Sequence, residues 1–257
     1  MNMLDLKNKR ALVLGIANQH SIAYAITKAL RMSGCEVILS YASPTLAKRV
    51  LPIADELKIA DCIQCDLSKD YDIQNLFRLI KTKWDSLDYL IHSVAFAPSS
   101  ELNIPFHETS RHGFLTAMDI SVYTLIATLK EAEPLFREGS SAITLSYYGA
   151  EKVVPNYGVM GVAKAALESS VRYLAHSLGE KGIRVNAISA GPLRTLSSSA
   201  IGGISQLQKR IEKMAPLARN IEPDDVAKTA MYLLSDLASG VTGETIYVDA
   251  GMNIMAY

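Results

Sequence analysis

The sequence predicts an α/β protein: a doubly wound sheet of seven parallel strands, flanked by helices on both faces. Two observations carry this prediction. Short apolar runs alternate with longer segments in which apolar residues recur every three or four positions. The short runs are apolar throughout, which is typical of strands buried on both faces of a parallel sheet. Because this alternation continues from end to end without a linker, we expect a single domain over residues 1–257.

The strands follow from the apolar runs, and the helices from the residues that begin and end them. Strands are predicted at residues 11–14, 37–41, 63–65, 89–94, 142–146, 184–189 and 245–248. Ser21 is a favourable N-cap for the first helix, and Gly34 ends it. Pro44 opens the second helix and Pro223 the last, because proline suits the first helical turn. Three more helices are predicted at about 71–84, 111–136 and 157–178.

Composition excludes several classes of protein. The 257 residues carry 26 lysines and arginines against 26 aspartates and glutamates, so the basic excess that nucleic-acid binding requires is missing. No run of eighteen apolar residues is present and the N-terminus lacks a signal-peptide pattern, which predicts a cytoplasmic protein without membrane contact. The odd cysteine count suggests a reducing compartment. Cys62 and Cys65 form a C-x-x-C without a second Cys/His pair, so structural cysteines are favoured over a metal site.

Ligands of doubly wound sheets bind at the carboxyl ends of the strands, where the strand order reverses. The first turn there joins Gly15 to the helix N-terminus at Ser21, which suits a pyrophosphate. With one glycine only, an ordinary strand-to-helix turn is an equal alternative. Asp66, after the third strand, either accepts from an adenine amino group or caps a helix. The second strand ends without an acidic or basic residue, which favours NADH over NADPH, although Lys48 and Arg49 lie nearby.

The pair Tyr157 and Lys164 is the strongest candidate for chemistry. Seven residues return a helix to nearly the same face, about 10.5 Å along its axis. An ammonium there lowers the pKa of a phenol and binds ribose hydroxyls, while the phenol donates to a substrate oxygen that becomes negative. The same spacing is common on solvated helix faces, so the pair alone leaves both interpretations open.

Together with its flanking motifs, this pair resembles a known family over essentially the whole chain. The chain is similar to the bacterial NADH-dependent enoyl-acyl-carrier-protein reductases, a divergent branch of the short-chain dehydrogenases with a Rossmann fold. A Tyr-x6-Lys pair with a second tyrosine ten residues earlier is specific to this branch. The matching stretches are Gly15 with 21–24, 92–98, Tyr147 with Tyr157 and Lys164, 184–195, 243–244 and 248–251.

The resemblance implies that NADH reduces a trans-2-enoyl thioester on an acyl carrier protein, in type II fatty-acid synthesis. Hydride goes to C3, Tyr157 stabilises the enolate, and Lys164 holds the nicotinamide ribose. Tyr147 is either a substrate-side tyrosine or an aromatic wall of the pocket. A homotetramer is implied as well. The implied dinucleotide contacts are Gly15, Ser21, Ile22, Asp66, Leu67, Val94, Lys164, Leu193 and Thr195, and the implied substrate contacts are Ala97, Tyr147, Met160 and Ile201.

Residues 196–214 resemble the family's mobile lid over the acyl chain, and their small residues and glycines fit a segment of low local stability. A plain surface loop is the alternative. The chain departs from the family at Ala42, where many relatives have glutamine, and at Ala95, where many have glycine. Basic residues that some relatives carry early in the lid helix are missing. Cations farther along, which either meet the acidic carrier protein or only line a solvated face, are Lys209, Arg210 and Lys213.

Two other functions stay open. An ordinary short-chain dehydrogenase acting on a ketone or alcohol would use Tyr148 and Lys152, which have the Tyr-x-x-x-Lys spacing of that larger family. Gly149 and Pro155 beside this pair predict a loop rather than a helix, which counts against it. A non-catalytic dinucleotide-binding protein would keep the fold but would have no need of a tyrosine and lysine together.

Overall fold

Seven parallel strands form one sheet, in the spatial order β3-β2-β1-β4-β5-β6-β7. This confirms the predicted doubly wound Rossmann fold. The computed structural model describes residues 6–195 and 204–256 of the chain. Its strands are β1 (Arg10–Leu14), β2 (Glu36–Tyr41), β3 (Asp61–Gln64), β4 (Leu87–His92), β5 (Phe136–Ser146), β6 (Arg184–Ala190) and β7 (Thr245–Val248).

Helices follow the strands and cover both faces of the sheet. Ser21 caps the first of them, since its Oγ accepts from the N–H of Tyr24 at 3.2 Å. Pro44 and Pro223 occupy the first turns of their helices, as predicted. The α-helices are α1 (Ile22–Met32), α2 (Pro44–Glu56), α3 (Asp70–Lys83), α4 (Arg111–Met118), α5 (Thr124–Ala132), α6 (Val159–Gly179), α7 (Ile204–Met214) and α8 (Pro223–Leu234).

Two apolar cores lie on opposite faces of the sheet. Alternate residues of one strand enter different cores, since successive side chains of a strand point to opposite faces. On β1, Val13 belongs to the core beneath α1, α2 and α8. Its neighbours Leu12 and Leu14 belong to the core beneath α3, α5 and α6. The strands are therefore buried on both sides, which leaves their carboxyl ends as the place for polar chemistry.

The helix predicted at 111–136 is interrupted. A π-helical segment, Asp119–Tyr123, separates α4 from α5, and a short 3₁₀ turn ends the run. In the described chain, the stretch Arg111–Leu135 is long and apolar enough to cross a membrane by length and composition. Half of its apolar window is buried against the rest of the protein, as expected for a helix that covers a sheet.

The fifth strand starts six residues earlier than predicted. It begins at Phe136, which pairs with Leu87 before an irregularity in the register with β4. The apolar run at 142–146 missed this extension because Arg137, Glu138 and Gly139 are polar or small and exposed. The extension lies at the amino end of the strand, so it does not change the edge where the site forms.

Arg184 anchors the C-terminus of α8 to the start of β6. Its buried guanidinium donates to the carbonyls of Leu233 at 2.6 Å, Leu234 at 3.3 Å and Ser235 at 3.1 Å. These are the last carbonyls of a helix, which lack partners within it. A cation at this position also complements the negative end of the helix dipole.

Replacing Arg184 with methionine should therefore destabilise the fold. The Arg184→Met variant removes three charge-assisted hydrogen bonds, which should lower the free energy of unfolding by about 2–4 kcal/mol. Ser141 and Ala238 still donate to the carbonyls of Leu233 and Ser235, so the carbonyl of Leu234 is the one that loses its described donor. Urea unfolding at one fixed protein concentration measures this. Arg78→Met, at an exposed position of α3, is the matched control and should change stability by less than about 0.5 kcal/mol. Equal stability of the two variants would contradict this role of Arg184.

Candidate active site

The strand order reverses between β1 and β4, whose carboxyl ends lie side by side. The N–H of Ser93 donates to the carbonyl of Leu14 at 3.0 Å. Gly15 follows with φ +86°, and a Cβ atom on it would lie 2.1 Å from the carbonyl oxygen of Ser93. Only glycine permits both this backbone conformation and this approach. The predicted nucleotide turn is thus held at the switch point, where ligands of such sheets bind.

The N-terminus of α1 faces this turn with free donors. Within the described chain, no acceptor is hydrogen-bonded to the N–H groups of Ile22 or Ala23. Such groups, with the positive end of the helix dipole, suit a pyrophosphate. The residues of the first turn therefore fit a dinucleotide phosphate.

Asp66 lies after β3, but it is not the N-cap of the next helix. The N-cap of α3 is Lys69, so the predicted alternative of a helix cap is wrong. Asp66 instead accepts from the N–H of Ser68 at 3.1 Å and from its hydroxyl at 2.7 Å. Partial burial raises its pKa, but these hydrogen bonds and the ammonium of Lys69 hold that pKa below the ordinary value. The predicted adenine contact stays a prediction.

The other predicted dinucleotide residues lie at the same edge of the sheet. Val94 follows β4 and Leu67 follows β3, while Leu193 and Thr195 follow β6. Leu193 and Leu67 are buried, and Val94 and Thr195 are partly exposed. They come from separate strands, so the fold gathers residues that are distant in sequence.

Tyr157 and Tyr147 form one aromatic wall. Their rings meet edge to face with centroids 4.9 Å apart. Tyr157 is 7% exposed and packs in one apolar cluster with Met160 and Ala97. Burial raises the pKa of Tyr147 to about 12, and burial followed by the neighbouring Tyr147 raises that of Tyr157. Both phenols are therefore neutral donors, and no described residue forms a hydrogen bond with the Tyr157 hydroxyl.

Tyr157 does not lie on the helix that carries Lys164. Gly158, with φ +44° and ψ −123°, leaves the helical conformation, so α6 begins at Val159. The prediction that Tyr157 starts this helix is wrong, and the helical argument from the spacing of seven does not apply. The turn before the helix sets the position of the tyrosine, while the helix sets that of the lysine.

Lys164 is buried and faces the end of β5. It is 5% exposed, and its Nζ donates to the carbonyl of Leu145 at 2.7 Å. Burial lowers the pKa of Lys164 to about 8, while Glu168 acts to raise it. Leu145 lies two residues before Tyr147, the ring that contacts Tyr157. The ammonium and the phenol therefore flank the same end of β5.

A buried histidine, His92, lies at the carboxyl end of β4, at the same edge of the sheet. His92 Nε2 lies 2.8 Å from Thr124 Oγ1, which itself donates to the carbonyl of Ile120. Thr124 must then accept from Nε2–H, which leaves Nδ1 to accept from Thr144 Oγ1 at 3.0 Å. Burial, and next the charge of Lys164, lower the pKa of His92 to about 3. The ring is neutral at physiological pH.

Sequence reasoning missed Ser121. This buried residue lies in the π-helical segment, where its hydroxyl accepts from the N–H of Phe96 at 3.0 Å and lies 3.1 Å from the carbonyl of Phe96. It thereby fixes the segment that carries Ala97. No residue pattern marks an interruption of this kind within a long apolar helix, so the sequence held no signal for it.

A family model for enoyl-(acyl carrier protein) reductases matches residues 15–253 of the chain. The chain belongs to the enoyl-(acyl carrier protein) reductase family. A relative from Rickettsia bellii (strain RML369-C), named enoyl-acyl-carrier-protein reductase (NADH) FabI, is 50% identical over 97% of this chain and 95% of its own. These comparisons confirm the resemblance that the sequence motifs indicate.

Solved structures of family members have the same fold. The enoyl-acyl-carrier-protein reductase (NADH) of Aquifex aeolicus VF5 superposes with a TM-score of 0.95 at 48% identity, over 98% of this chain and 99% of its own. That of Anaplasma phagocytophilum, in complex with NAD, superposes with a TM-score of 0.95 at 47% identity, over 100% and 98%.

Three other predicted features do not contribute to the site that the structure describes. Tyr148 lies in a short 3₁₀ turn and Lys152 in an exposed bend. This confirms the prediction that the pair lies in a loop rather than on a helix. Cys62 and Cys65 are free thiols. Burial raises the pKa of Cys62 to about 11 and that of Cys65 to about 12. Residues 196–203 of the predicted lid, which include Ile201, lie outside the described residues, and the rest of that segment forms α7.

The neutral state of His92 predicts a pH dependence of stability. The unfolded chain binds a proton near pH 6.5, whereas the folded protein does so only near pH 3. The fold should therefore lose stability as the pH falls below 6.5. Between pH 7.5 and 5.5, urea unfolding should show the wild type losing about 1 kcal/mol more than His92→Gln. His107→Gln, at an exposed histidine, should keep the wild-type slope, and equal slopes in all three proteins would contradict the prediction.

Proposed function

We propose that Tyr157 and Lys164 are the residues that catalyse the reduction of a trans-2-enoyl thioester by bound NADH. The chain is an oxidoreductase of fatty-acid biosynthesis, an NADH-dependent enoyl-acyl-carrier-protein reductase. One observation supports these roles most. A buried phenol without a hydrogen-bond partner in the described chain and a buried ammonium flank the carboxyl end of one strand, β5.

NADH, when bound, supplies the hydride that adds to C3 of the enoyl group. The free N–H groups at the start of α1 and the turn at Gly15 would hold its pyrophosphate. Asp66 and Leu67 would lie at its adenine end, and Val94, Leu193 and Thr195 along its length. Ser21 shapes the turn by capping α1.

Tyr157 would stabilise the charge that develops on the substrate. Hydride addition at C3 moves an electron pair onto the thioester oxygen, and the enolate is then protonated at C2. A neutral phenol donates a hydrogen bond to this oxygen, and burial makes the bond stronger than it would be in water. The raised pKa of Tyr157 keeps the proton on the phenol at working pH.

Lys164 would position the cofactor. Its remaining N–H groups are available to the ribose hydroxyls, because the bond to Leu145 uses only one of three donors. Tyr147, Met160 and Ala97 would line the acyl pocket, since they pack around Tyr157. Ile201 would complete the lining as part of a lid formed by residues 196–214.

We also infer that the enzyme works as a cytoplasmic homotetramer on acyl-carrier-protein substrates. An apolar, partly exposed groove of about 500 Å³ runs along α5 and α6, lined in part by Ile126 and Tyr173. Such a surface favours contact with another copy. Light scattering should give a molar mass four times the 28.0 kDa of one chain. A monomer in solution would contradict the inference.

The acidic carrier protein would contact α7. The cations exposed on this helix are Lys209, Arg210 and Lys213.

Conservative variants test the chemistry. Tyr157→Phe should lower kcat for crotonyl-CoA about 100-fold, because one oxyanion donor is lost, and should leave the KM for NADH nearly unchanged. Lys164→Ala should raise the KM for NADH about 10-fold or more, because the cofactor loses its anchor. The loss of NADH absorbance measures both.

The second Tyr/Lys pair provides matched controls. Tyr148→Phe and Lys152→Ala should retain wild-type activity, since the Tyr148 hydroxyl donates to the carbonyl of Asn253 and the side chain of Lys152 is exposed. Ketone reduction that depends on Tyr148, without enoyl reduction, would support an ordinary short-chain dehydrogenase instead. NADH binding without turnover of either substrate would support a non-catalytic protein.

A further inference from the structure

A second buried polar contact involves α6 one helical turn beyond Lys164. The hydroxyl of Ser146 donates to Oε1 of Glu168. Ser146 follows Leu145, whose carbonyl accepts from Lys164. Two adjacent residues at the end of β5 thus hold two side chains that lie one turn apart on α6.

The position of Glu168 calls for an explanation, because burying a carboxylate is unfavourable. The residue is 8% exposed. Burial, the largest effect, raises its pKa above the ordinary value, and the hydrogen bond from Ser146 and the charges of Arg172 and Lys164 oppose this rise. A glutamine of the same shape would accept the same hydrogen bond without this penalty. The negative charge itself is therefore the property that a function would require.

We propose that Glu168 is a positioning residue whose negative charge, one helical turn from Lys164, keeps the ammonium of Lys164 protonated at the cofactor site. This inference deepens the proposed function and rests on it for the role of Lys164. Glu168 lies four residues after Lys164, on the same face of the helix. Ser146 in turn fixes the carboxylate against β5.

Electrostatics supports this role. Burial alone would move the pKa of Lys164 far below that of a solvated lysine, and Glu168 opposes that change. The carboxylate lies one helical turn from the ammonium and acts through the buried interior rather than by direct contact. An opposite charge placed in this way typically shifts a pKa by about one unit. Without the carboxylate, a substantial fraction of Lys164 would lose its proton near neutral pH.

The other groups around the pair do not replace this charge. Burial holds His92 on β4 neutral, and the phenols of Tyr147 and Tyr157 are neutral as well. The hydroxyl of Tyr247 on β7 donates to Glu151, and burial together with this carboxylate raises its pKa, so this phenol is neutral as well.

Glu151 and Arg172 also act on Glu168, with opposite effects on its pKa. Both are exposed, so water screens their charges. Neither is among the groups that act on the pKa of Lys164. Among the described residues, Glu168 is the carboxylate whose charge raises the pKa of Lys164.

The test is the pH profile of kcat/KM for NADH in Glu168→Gln. We expect the alkaline midpoint to fall by about one pH unit relative to the wild type. Activity should then be close to that of the wild type at pH 6 and several-fold lower at pH 8. A purely structural role would lower activity equally at all pH values, and that result would overturn the proposal, as would an unchanged profile.

Further variants keep the test informative if Glu168→Gln folds poorly. Glu168→Asp retains the charge and should keep a midpoint close to that of the wild type. Ser146→Ala frees the carboxylate and should shift the midpoint in the same direction as Glu168→Gln, by less. Glu180→Gln, at the exposed end of α6, is the matched control and should leave the profile unchanged.

A readout that needs no turnover separates the two proposals. In protein labelled with ¹³C-lysine, the Lys164 signal is the one missing from Lys164→Arg, and its titration gives the pKa directly. The wild-type pKa should be about 8, and about one unit lower in Glu168→Gln. This shift without enoyl reduction by the wild type would refute the proposed function alone. Enoyl reduction with no shift in the variant would refute the role of Glu168 alone.

Discussion

One hydrogen bond, from the buried ammonium of Lys164 to the carbonyl oxygen of Leu145, joins α6 to the end of β5. It satisfies part of a charge that has been withdrawn from water, and it fixes the lysine at the edge of the sheet where ligands bind. Tyr147, two residues farther along, packs against Tyr157. The positions of phenol and ammonium thus both depend on the same short stretch of backbone.

The parallel sheet makes this arrangement possible because it is buried on both faces and opens only at its edges. The first turn is held close to β4 by the backbone conformation of Gly15, which brings the start of α1 toward the site. Behind the edge, neutral His92 links β4 to β5 and α5 through two threonine hydroxyls. Uncharged groups therefore surround the ammonium on this side, which strengthens every electrostatic interaction within the site.

Much of this architecture could be predicted from sequence. The run at 245–248 gave the bounds of β7, because an apolar strand between turns has clear limits. The start of α6 was predicted two residues early, because the sequence does not show that Gly158 adopts a positive φ, which keeps Tyr157 out of the helix. The π-helical segment around Ser121 and the pairing of Ser146 with Glu168 depend on contacts between distant segments, which periodicity does not encode. The spacing of Glu168, four residues after Lys164, was a usable signal.

The central claim is that Tyr157 and Lys164 act together on a bound enoyl thioester and its cofactor. A crystal structure of the enzyme with NAD and an enoyl thioester analogue tests this most directly. The account predicts Tyr157 Oη within hydrogen-bond distance of the thioester oxygen, about 2.6–3.2 Å, and Lys164 Nζ equally close to a ribose hydroxyl. A complex in which either side chain points away from the nicotinamide would contradict it.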